Sequence, residues 1–129
     1  MSVQAISKGV RMSPRKVGVV ASLVRGRTVT DALTILEHTR RVAADPVIRV
    51  IKSARANAEH NHQYKPDSLY ISEIQVTPGP RLKRIRPAAR GSANRYQLKS
   101  SHIRVIVEGE KRIAKKPVAS SKSTAKETK

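Results

Sequence analysis

The sequence predicts an α+β fold: three helices packed on a small antiparallel sheet, with a long basic β-hairpin arm and a flexible C-terminal tail. Three observations support this prediction. Helix-capping residues followed by apolar side chains at helical spacing recur between residues 13 and 61. Two strand-like apolar runs lie on either side of a long basic stretch, as the two ends of a hairpin would. That stretch, residues 77–104, contains eight Lys or Arg residues and no Asp or Glu.

The first helix has the clearest start and stop signals. Ser13-Pro14 places a preferred N-cap before a proline at the first helical position, where the missing N–H costs no hydrogen bond. Gly26 follows at a point where a helix commonly ends in a left-handed conformation. The side chains between them that recur on one face, and that we expect to be buried, are Val17, Val20, Ala21 and Val24.

The second and third helices are predicted from the same kinds of signal. Thr30 is the expected cap of a short helix that ends near residue 38 or 39, with Asp31 at the positive end of the helix dipole. The third helix is the longest and ends near Asn61. Its start is open between an N-cap at Asp45 and a start near Thr39 with a kink at Pro46. We favour a start around Val42 with a distortion at Pro46. The residues expected to be buried are Ala32, Leu33, Ile35 and Leu36 in the second helix, and Val47, Val50, Ile51, Ala54 and Ala58 in the third.

Three strands complete the prediction. Residues 5–10 are expected to form a short first strand, and residues 69–76 a second strand whose alternation slips at Glu73, which indicates a bulge. Apolar residues at every second position from Ile103 to Val107 predict the return strand. We therefore expect one globular domain over residues 1–110, including the hairpin 77–104, and a basic disordered tail over residues 111–129.

Charge is distributed in blocks along the chain. The net charge is +18, yet residues 31–73 are balanced, with six acidic and six basic residues. Residues 1–30 and 74–107 contain six and eight Lys or Arg residues and no Asp or Glu. Because an ordinary solvated surface interleaves both signs, this pattern indicates a small folded body that carries polyanion-binding surfaces. The chain has no Cys, which excludes a disulfide framework and a cysteine metal site.

The basic stretch is expected to bind folded RNA as a thin arm about 40 Å long. Six of its eight cations are Arg, which binds phosphate in a bidentate manner. Tyr96 is its only aromatic residue, whereas proteins that bind single strands stack bases on several. Tyr96 itself could stack on a base or shield the arm's backbone, and both interpretations are open. The residues predicted to bind RNA are Arg11, Ser13, Arg15, Lys16, Arg25, Arg27, Arg81, Lys83, Arg84, Arg86, Arg90, Arg95, Lys99, His102 and Arg104.

Several motifs occur in an order that is typical of one family. They are Arg11-Met12-Ser13-Pro14-Arg15-Lys16, Leu23-Val24-Arg25-Gly26, Ala32-Leu33-Thr34-Ile35-Leu36, Ser53-Ala54-Arg55-Ala56-Asn57-Ala58-Glu59-His60-Asn61, Gly79-Pro80, Lys83-Arg84-Ile85, Pro87, Arg90-Gly91 and Ser101-His102-Ile103. On these motifs the chain resembles the bacterial large-subunit ribosomal protein twenty-two family, over residues 5–108.

The resemblance implies a non-enzymatic structural role in the cytoplasm, with no cofactor, metal, membrane partner or homo-oligomer. Such a protein binds large-subunit (23S-type) rRNA, supports subunit assembly and lies beside neighbouring tunnel-lining and tunnel-exit ribosomal proteins. Its hairpin lines the exit tunnel and meets the nascent peptide, and changes within residues 82–95 alter the response to macrolide antibiotics. The tunnel-lining tip implied for this sequence consists of Arg86, Pro87, Ala88, Ala89, Arg90, Gly91, Ser92 and Ala93.

Other function classes fit the sequence less well. A DNA-binding protein is the main alternative, because residues 13–36 have helix-turn-helix-like punctuation, but only Thr34 and His38 could read bases from the second helix. A membrane-active protein is disfavoured because the basic segments lack an apolar face. The run Glu59-His60-Asn61-His62 lacks the HExxH spacing and a second ligand cluster, so neither a metal site nor an enzyme is expected.

Overall fold

Three helices lie on one face of a three-stranded antiparallel sheet in the computed structural model, which describes residues 2–111. The strands are arranged in the order β1-β3-β2. Their bounds are Val3–Val10 for β1, Tyr70–Pro87 for β2 and Ala93–Glu108 for β3. The helices are α1 (Pro14–Val24), α2 (Val29–His38) and α3 (Ala44–His62). This confirms the predicted α+β architecture; the predicted tail lies outside the described residues apart from Lys111.

Helix α1 forms as predicted. It begins at Pro14 after the N-cap Ser13, and the four residues of its predicted apolar stripe are all buried. Gly26 has a φ of 75°, the left-handed conformation expected after the helix end. Its N–H donates to the carbonyl oxygen of Ile71 at 3.0 Å, so the end of α1 is tied directly to β2.

The favoured starts of the other two helices were each wrong by two residues. Thr28, not Thr30, is the N-cap of α2, and its Oγ1 accepts a hydrogen bond from the Asp31 N–H at 3.2 Å. Helix α3 starts at Ala44, not near Thr39 or Val42 and not after a cap at Asp45. Pro46 therefore lies in the first turn, where backbone N–H groups have no partner within the helix, so a proline there requires no distortion.

The core lies between the helices and the central strand β3. The inward-facing residues of β3 in this region, Ile103, Val105 and Val107, are fully buried, and so are the predicted apolar residues of α3 except for slight exposure of Val50. Leu33 and Ile35 of α2 are only partly buried, in contrast to the prediction. Tyr64, which follows α3, is also buried. The bulge predicted at Glu73 is confirmed, because the β2–β3 register shifts between Ile71 and Glu73.

The arm, residues 77–104, is formed by the continuation of β2 and β3 beyond the helices. The two strands stay paired as far as Pro87 and Ala93, with a second bulge between Pro78 and Arg81. Gly79 lies in this bulge, where a Cβ atom would be 2.6 Å from the Ser100 Oγ, so a larger residue would not fit without movement. Between residues 81 and 99 every side chain is exposed except Ala88, which is half-buried. The arm therefore has no core of its own.

Candidate RNA-binding surface

The arm has two faces of different chemistry. Because cross-strand partners share a face and successive residues alternate, the register assigns each side chain to one of them. The cationic face carries the pairs Arg81–Lys99, Lys83–Gln97 and Ile85–Arg95. The mixed face carries the pairs Leu82–Leu98, Arg84–Tyr96 and Arg86–Asn94. Lys99 is four residues before the buried Ile103 in β3, so the cationic face lies on the same side of the sheet as the helices.

A cavity lies where the cationic face meets the start of α1. It has a volume of about 660 Å³, and four cations line it: Arg11, Lys16, Arg41 and Lys99. An adjoining cavity of about 500 Å³ shares Lys16 and Lys99 with it and adds Arg15 and Arg81 to the lining. No Asp or Glu lines either cavity. Together these two cavities, called the corner cavity below, bring six cations from three parts of the chain to one concave surface.

The cations of the corner cavity have no ion-pair partner among residues 2–111. The two ion pairs of this region join Lys52 to Glu37 and Lys65 to Glu110, and none of these residues lines the corner cavity. The start of α1 also faces it, and the Ser13 side chain makes no capping hydrogen bond there. Since a helix start carries partial positive charge, it adds to the attraction of the six cations for an anion.

The other predicted RNA-binding residues of the body lie in two separate places. Arg25 and Arg27 follow the end of α1, where Arg25 Nη2 donates to the Ile74 carbonyl at 3.2 Å and Arg27 Nε to the Leu23 carbonyl at 3.0 Å. These bonds hold backbone and use part of each guanidinium. His102 and Arg104 lie on the opposite side of the sheet from the helices, where they and Lys8 line a cavity of about 430 Å³.

His102 has a structural contact that the sequence did not indicate. Its Nδ1 accepts the Gly9 N–H at 2.9 Å, which joins the irregular part of β1 to β3 at the base of the arm. Arg104 Nε donates to Gln4 Oε1 at 3.1 Å across the same pair of strands. His102 and Arg104 therefore also fix the base of the arm to the body, in addition to their predicted contact with RNA.

Two cations of these surfaces were missed in the sequence. Arg41 reaches the corner cavity from the segment before α3, and Lys8 reaches the opposite side of the sheet from β1. The basic pair Arg40-Arg41 was a usable signal for the first of them. Neither residue lies in the long basic stretch of the arm, and only the fold brings them to these surfaces.

The tip of the arm is a tight turn of small residues. A short 3₁₀ segment spans Ala89–Gly91, and Arg90 has a φ of 57°. The Ala88 N–H donates to the Ser92 carbonyl at 2.8 Å, and the Ser92 hydroxyl donates to the Ala89 carbonyl at 2.9 Å. The cations of the arm beyond the corner cavity are all exposed; they are Lys83, Arg84, Arg86, Arg90 and Arg95.

The side chains that a DNA-binding function or a metal site would require contact their own helix or are not grouped together. The hydroxyl of Thr34 donates to the Thr30 carbonyl at 3.2 Å, and His38 Nδ1 lies 2.9 Å from the Thr34 carbonyl, so both candidate base readers contact their own helix. Within residues 2–111 no three His, Cys, Asp or Glu residues are grouped so that they could hold a metal ion. No helix in the same range has the length and apolar character to span a membrane.

Known proteins are similar to this chain over most of its length. The family described as ribosomal protein L22p/L17e matches residues 5–108. A relative from Herpetosiphon aurantiacus, named large ribosomal subunit protein uL22, is 52% identical over 108 residues, which cover 84% of this chain and 96% of the relative. A protein of the same name from Oceanobacillus iheyensis is 50% identical over 111 residues, covering 86% of this chain and 98% of the relative.

Proposed function

Because the chain belongs to the ribosomal protein L22p/L17e family, a structural and non-enzymatic family of the large ribosomal subunit, we propose that it binds large-subunit rRNA through the corner cavity and the arm. This family assigns it to the ribosome in the cytoplasm. In the proposed complex the arm extends between RNA segments, and its tip lines the exit tunnel beside the nascent peptide. Neighbouring ribosomal proteins at the tunnel and its exit are the proposed protein partners.

The observation that carries this proposal is the corner cavity and its continuation along the arm. Six cations without carboxylate partners converge there, and the cationic face extends the same surface through Lys83 and Arg95. Phosphate groups on adjoining backbone segments are the anions that such an elongated surface fits, since they repeat at short intervals along an RNA strand. The concave shape favours folded RNA over a single extended strand.

The shape of the arm supports the assignment of its tip to the tunnel. A two-stranded ribbon is marginally stable in water, and this one has no core of its own, so it needs surroundings that hold it on both sides. Packed RNA helices with phosphate on their surfaces provide such surroundings. The turn at Ala89–Gly91 is narrow because its residues are small apart from Arg90, which suits a position in a confined passage.

A charge-matched pair of variants tests the RNA-binding part. The double variant Lys16→Ala/Lys99→Ala removes two lysines of the corner cavity. The control variant Lys52→Ala/Lys65→Ala removes the two lysines that already have carboxylate partners, so both proteins have the same net charge. Binding of each full chain to protein-free large-subunit rRNA is measured over a range of salt concentrations. The corner variant is expected to lower the log–log salt slope by about 1.4–1.8, because each lost phosphate contact removes about 0.7–0.9.

The control variant should change the slope by less than half of that amount. Equal effects of the two double variants would mean that net charge alone governs binding, and the corner cavity would lose its assigned role. Wild-type binding that is as strong to duplex DNA as to rRNA at the same salt concentration would instead favour the DNA-binding alternative.

The tunnel part is tested with a single cysteine at the tip. Since the chain has no Cys, Ser92→Cys provides one unique attachment point for a short crosslinker. In ribosomes stalled with a nascent chain, we expect Cys-dependent crosslinks between position 92 and the nascent peptide. Glu59→Cys in α3 of the body is the matched control and should give none. Crosslinks from both positions, or from the control alone, would contradict the proposed placement of the tip.

A further inference from the structure

The mixed face of the arm carries an apolar strip that the sequence analysis did not predict. Leu82 and Leu98 are cross-strand partners, and Tyr96 is the next residue on that face of β3. All three remain exposed, at 45%, 39% and 41% of their surface. The expectation that the basic segments lack apolar side chains on one face is therefore wrong for this part of the arm. Phosphate binding does not explain these residues, because apolar groups gain nothing from contact with phosphate.

Two arginines flank the aromatic ring within this face. Arg84 is the cross-strand partner of Tyr96, and the guanidinium carbon of Arg86 lies 5.4 Å from the centroid of its ring. At that distance the cation interacts with the ring face and helps to order both side chains. Asn94, the partner of Arg86, adds a side-chain amide with both donor and acceptor groups. No Asp or Glu occurs anywhere in residues 74–107.

These features together fit one chemical class of ligand. A nucleobase is flat and apolar on its faces, so it can stack on an aromatic ring or a guanidinium plane, and its edges form hydrogen bonds with amides. The phosphates on either side of it would lie near Arg84 and Arg86. An apolar peptide segment would use the strip but would leave both guanidinium groups without an anion, so the charge of this face favours RNA over protein.

We propose that the mixed face binds an unstacked nucleobase of the large-subunit rRNA, with Tyr96 as its stacking platform and with Arg84 and Arg86 on the flanking phosphates. This inference rests on the proposed function and adds a second mode of recognition to it. The cationic face contacts RNA backbone, whereas the mixed face takes up a base that has left its helix. Of the two interpretations of Tyr96 that the sequence left open, this proposal adopts stacking on a base.

Substitutions at position 96 separate stacking from charge. Tyr96→Leu keeps an apolar side chain but removes the ring, and Tyr96→Phe keeps the ring but removes the hydroxyl. Each full chain is titrated with protein-free large-subunit rRNA at several salt concentrations. Tyr96→Leu is expected to weaken binding about five-fold or more, the lower end of what one stacked base contributes. Its salt slope should equal that of the wild type, because no phosphate contact is lost.

Tyr96→Phe should bind within two-fold of the wild type. Val19→Ala is the control for loss of exposed apolar surface, because Val19 lies in α1, outside the arm and the corner cavity, and is 49% exposed. It should also bind within two-fold. A loss in Tyr96→Phe equal to that in Tyr96→Leu would overturn stacking, because the hydroxyl would then be the group that matters. A loss in Val19→Ala equal to that in Tyr96→Leu would also overturn stacking, because exposed apolar surface in general would then explain the effect.

A photochemical measurement detects the contact directly. Short-wavelength irradiation of large subunits that contain the chain joins stacked aromatic residues to bases, and digestion with trypsin and ribonuclease then releases the adducts. Trypsin cuts after Arg95 and Lys99, so Tyr96 is isolated in the four-residue peptide Tyr96-Gln97-Leu98-Lys99. We expect a nucleotide adduct on this peptide in the wild type and none at position 96 in Tyr96→Leu.

The outcomes distinguish this inference from the proposed function. Wild-type binding to rRNA with a steep salt dependence, together with unchanged affinity of Tyr96→Leu and no adduct, would overturn the stacking site and leave the proposed function intact. Failure of the wild type to bind rRNA would contradict both. A crosslink from Tyr96 to a polypeptide in place of a nucleotide would assign the mixed face to a protein partner.

Discussion

The body and the arm share two strands, yet different forces hold them. In the body, β3 is buried under the helices through Ile103, Val105 and Val107, whereas in the arm the same strand is exposed from Ala93 to Lys99. Backbone pairing with β2 continues through both regions. Since pairing alone gives marginal stability and burial of apolar surface gives most of it, we expect the body to fold by itself and the arm to depend on the proposed RNA partner. The same strand thus has a buried part in the body and an exposed part in the arm.

A pair of substitutions within β3 tests this difference most strongly. Ile103→Ala removes a fully buried side chain and should lower the free energy of unfolding by about 2–5 kcal/mol, the usual range for such core truncations. Leu98→Ala, five residues earlier and in the arm, should change it by no more than about 0.5 kcal/mol, as for other surface substitutions. Urea unfolding of the free chain, followed by circular dichroism, measures both values.

The proposed difference between body and arm would be contradicted if Leu98→Ala destabilised the free chain by more than about 1 kcal/mol, since surface substitutions seldom have that effect. The arm would then be part of the cooperative unit. The same conclusion would follow if the triple variant Arg84→Ala/Arg86→Ala/Arg90→Ala abolished cooperative unfolding of the free body.

Local sequence signals were sufficient for much of the body. The Ser13-Pro14 start, the buried stripe of α1 and the left-handed Gly26 were all predicted, because each depends on residues close together in the chain. The start of α2 was placed at the wrong threonine because Thr28 and Thr30 have the same capping chemistry. What decides between them is the burial of Val29, which depends on packing and not on local propensity.

The sequence could not predict the two faces of the arm, and the reason is a bulge in β2. The bulge between Pro78 and Arg81 adds one residue to β2, so the side-chain alternation of the body does not continue into the arm. Val76 pairs with the inward-facing Ile103, but beyond the bulge Arg81 pairs with Lys99 on that side. Extrapolation from the body would have put Leu82 on the side of the helices. The corner cavity was equally hidden, because it joins Arg41 to residues more than 50 positions away in sequence, such as Lys99.

The body also differs from the arm in the surroundings of its exposed tyrosine. Tyr70, at the start of β2, donates a hydrogen bond from its hydroxyl to Glu108 Oε2 at 2.8 Å. This bond, then the negative charge of Glu108 and then burial raise the pKa of Tyr70 above its ordinary value of 10.0. In the arm, by contrast, Tyr96 has cations as its neighbours. The acidic partner marks the end of the sheet that lies farthest along β3 from the arm.

The smallest expected effect is a shift in the titration of Tyr70. Ultraviolet difference titration of the wild type against Tyr70→Phe should give a midpoint above 10.0 for this phenol, and Glu108→Gln should bring it closer to 10.0 because the carboxylate charge is removed. The raised pKa of Tyr70 means that folding favours the neutral form of its phenol. The stability that this pair contributes is therefore complete below the ordinary pKa and is lost as the pH rises through the raised value. Tyr70→Phe should be slightly less stable than the wild type at neutral pH and should differ less from it at high pH. A difference that grew with pH would have the opposite sign and would show that Glu108 does not hold the neutral phenol, so the contrast between the acidic end of the body and the cationic arm would not extend to their tyrosines.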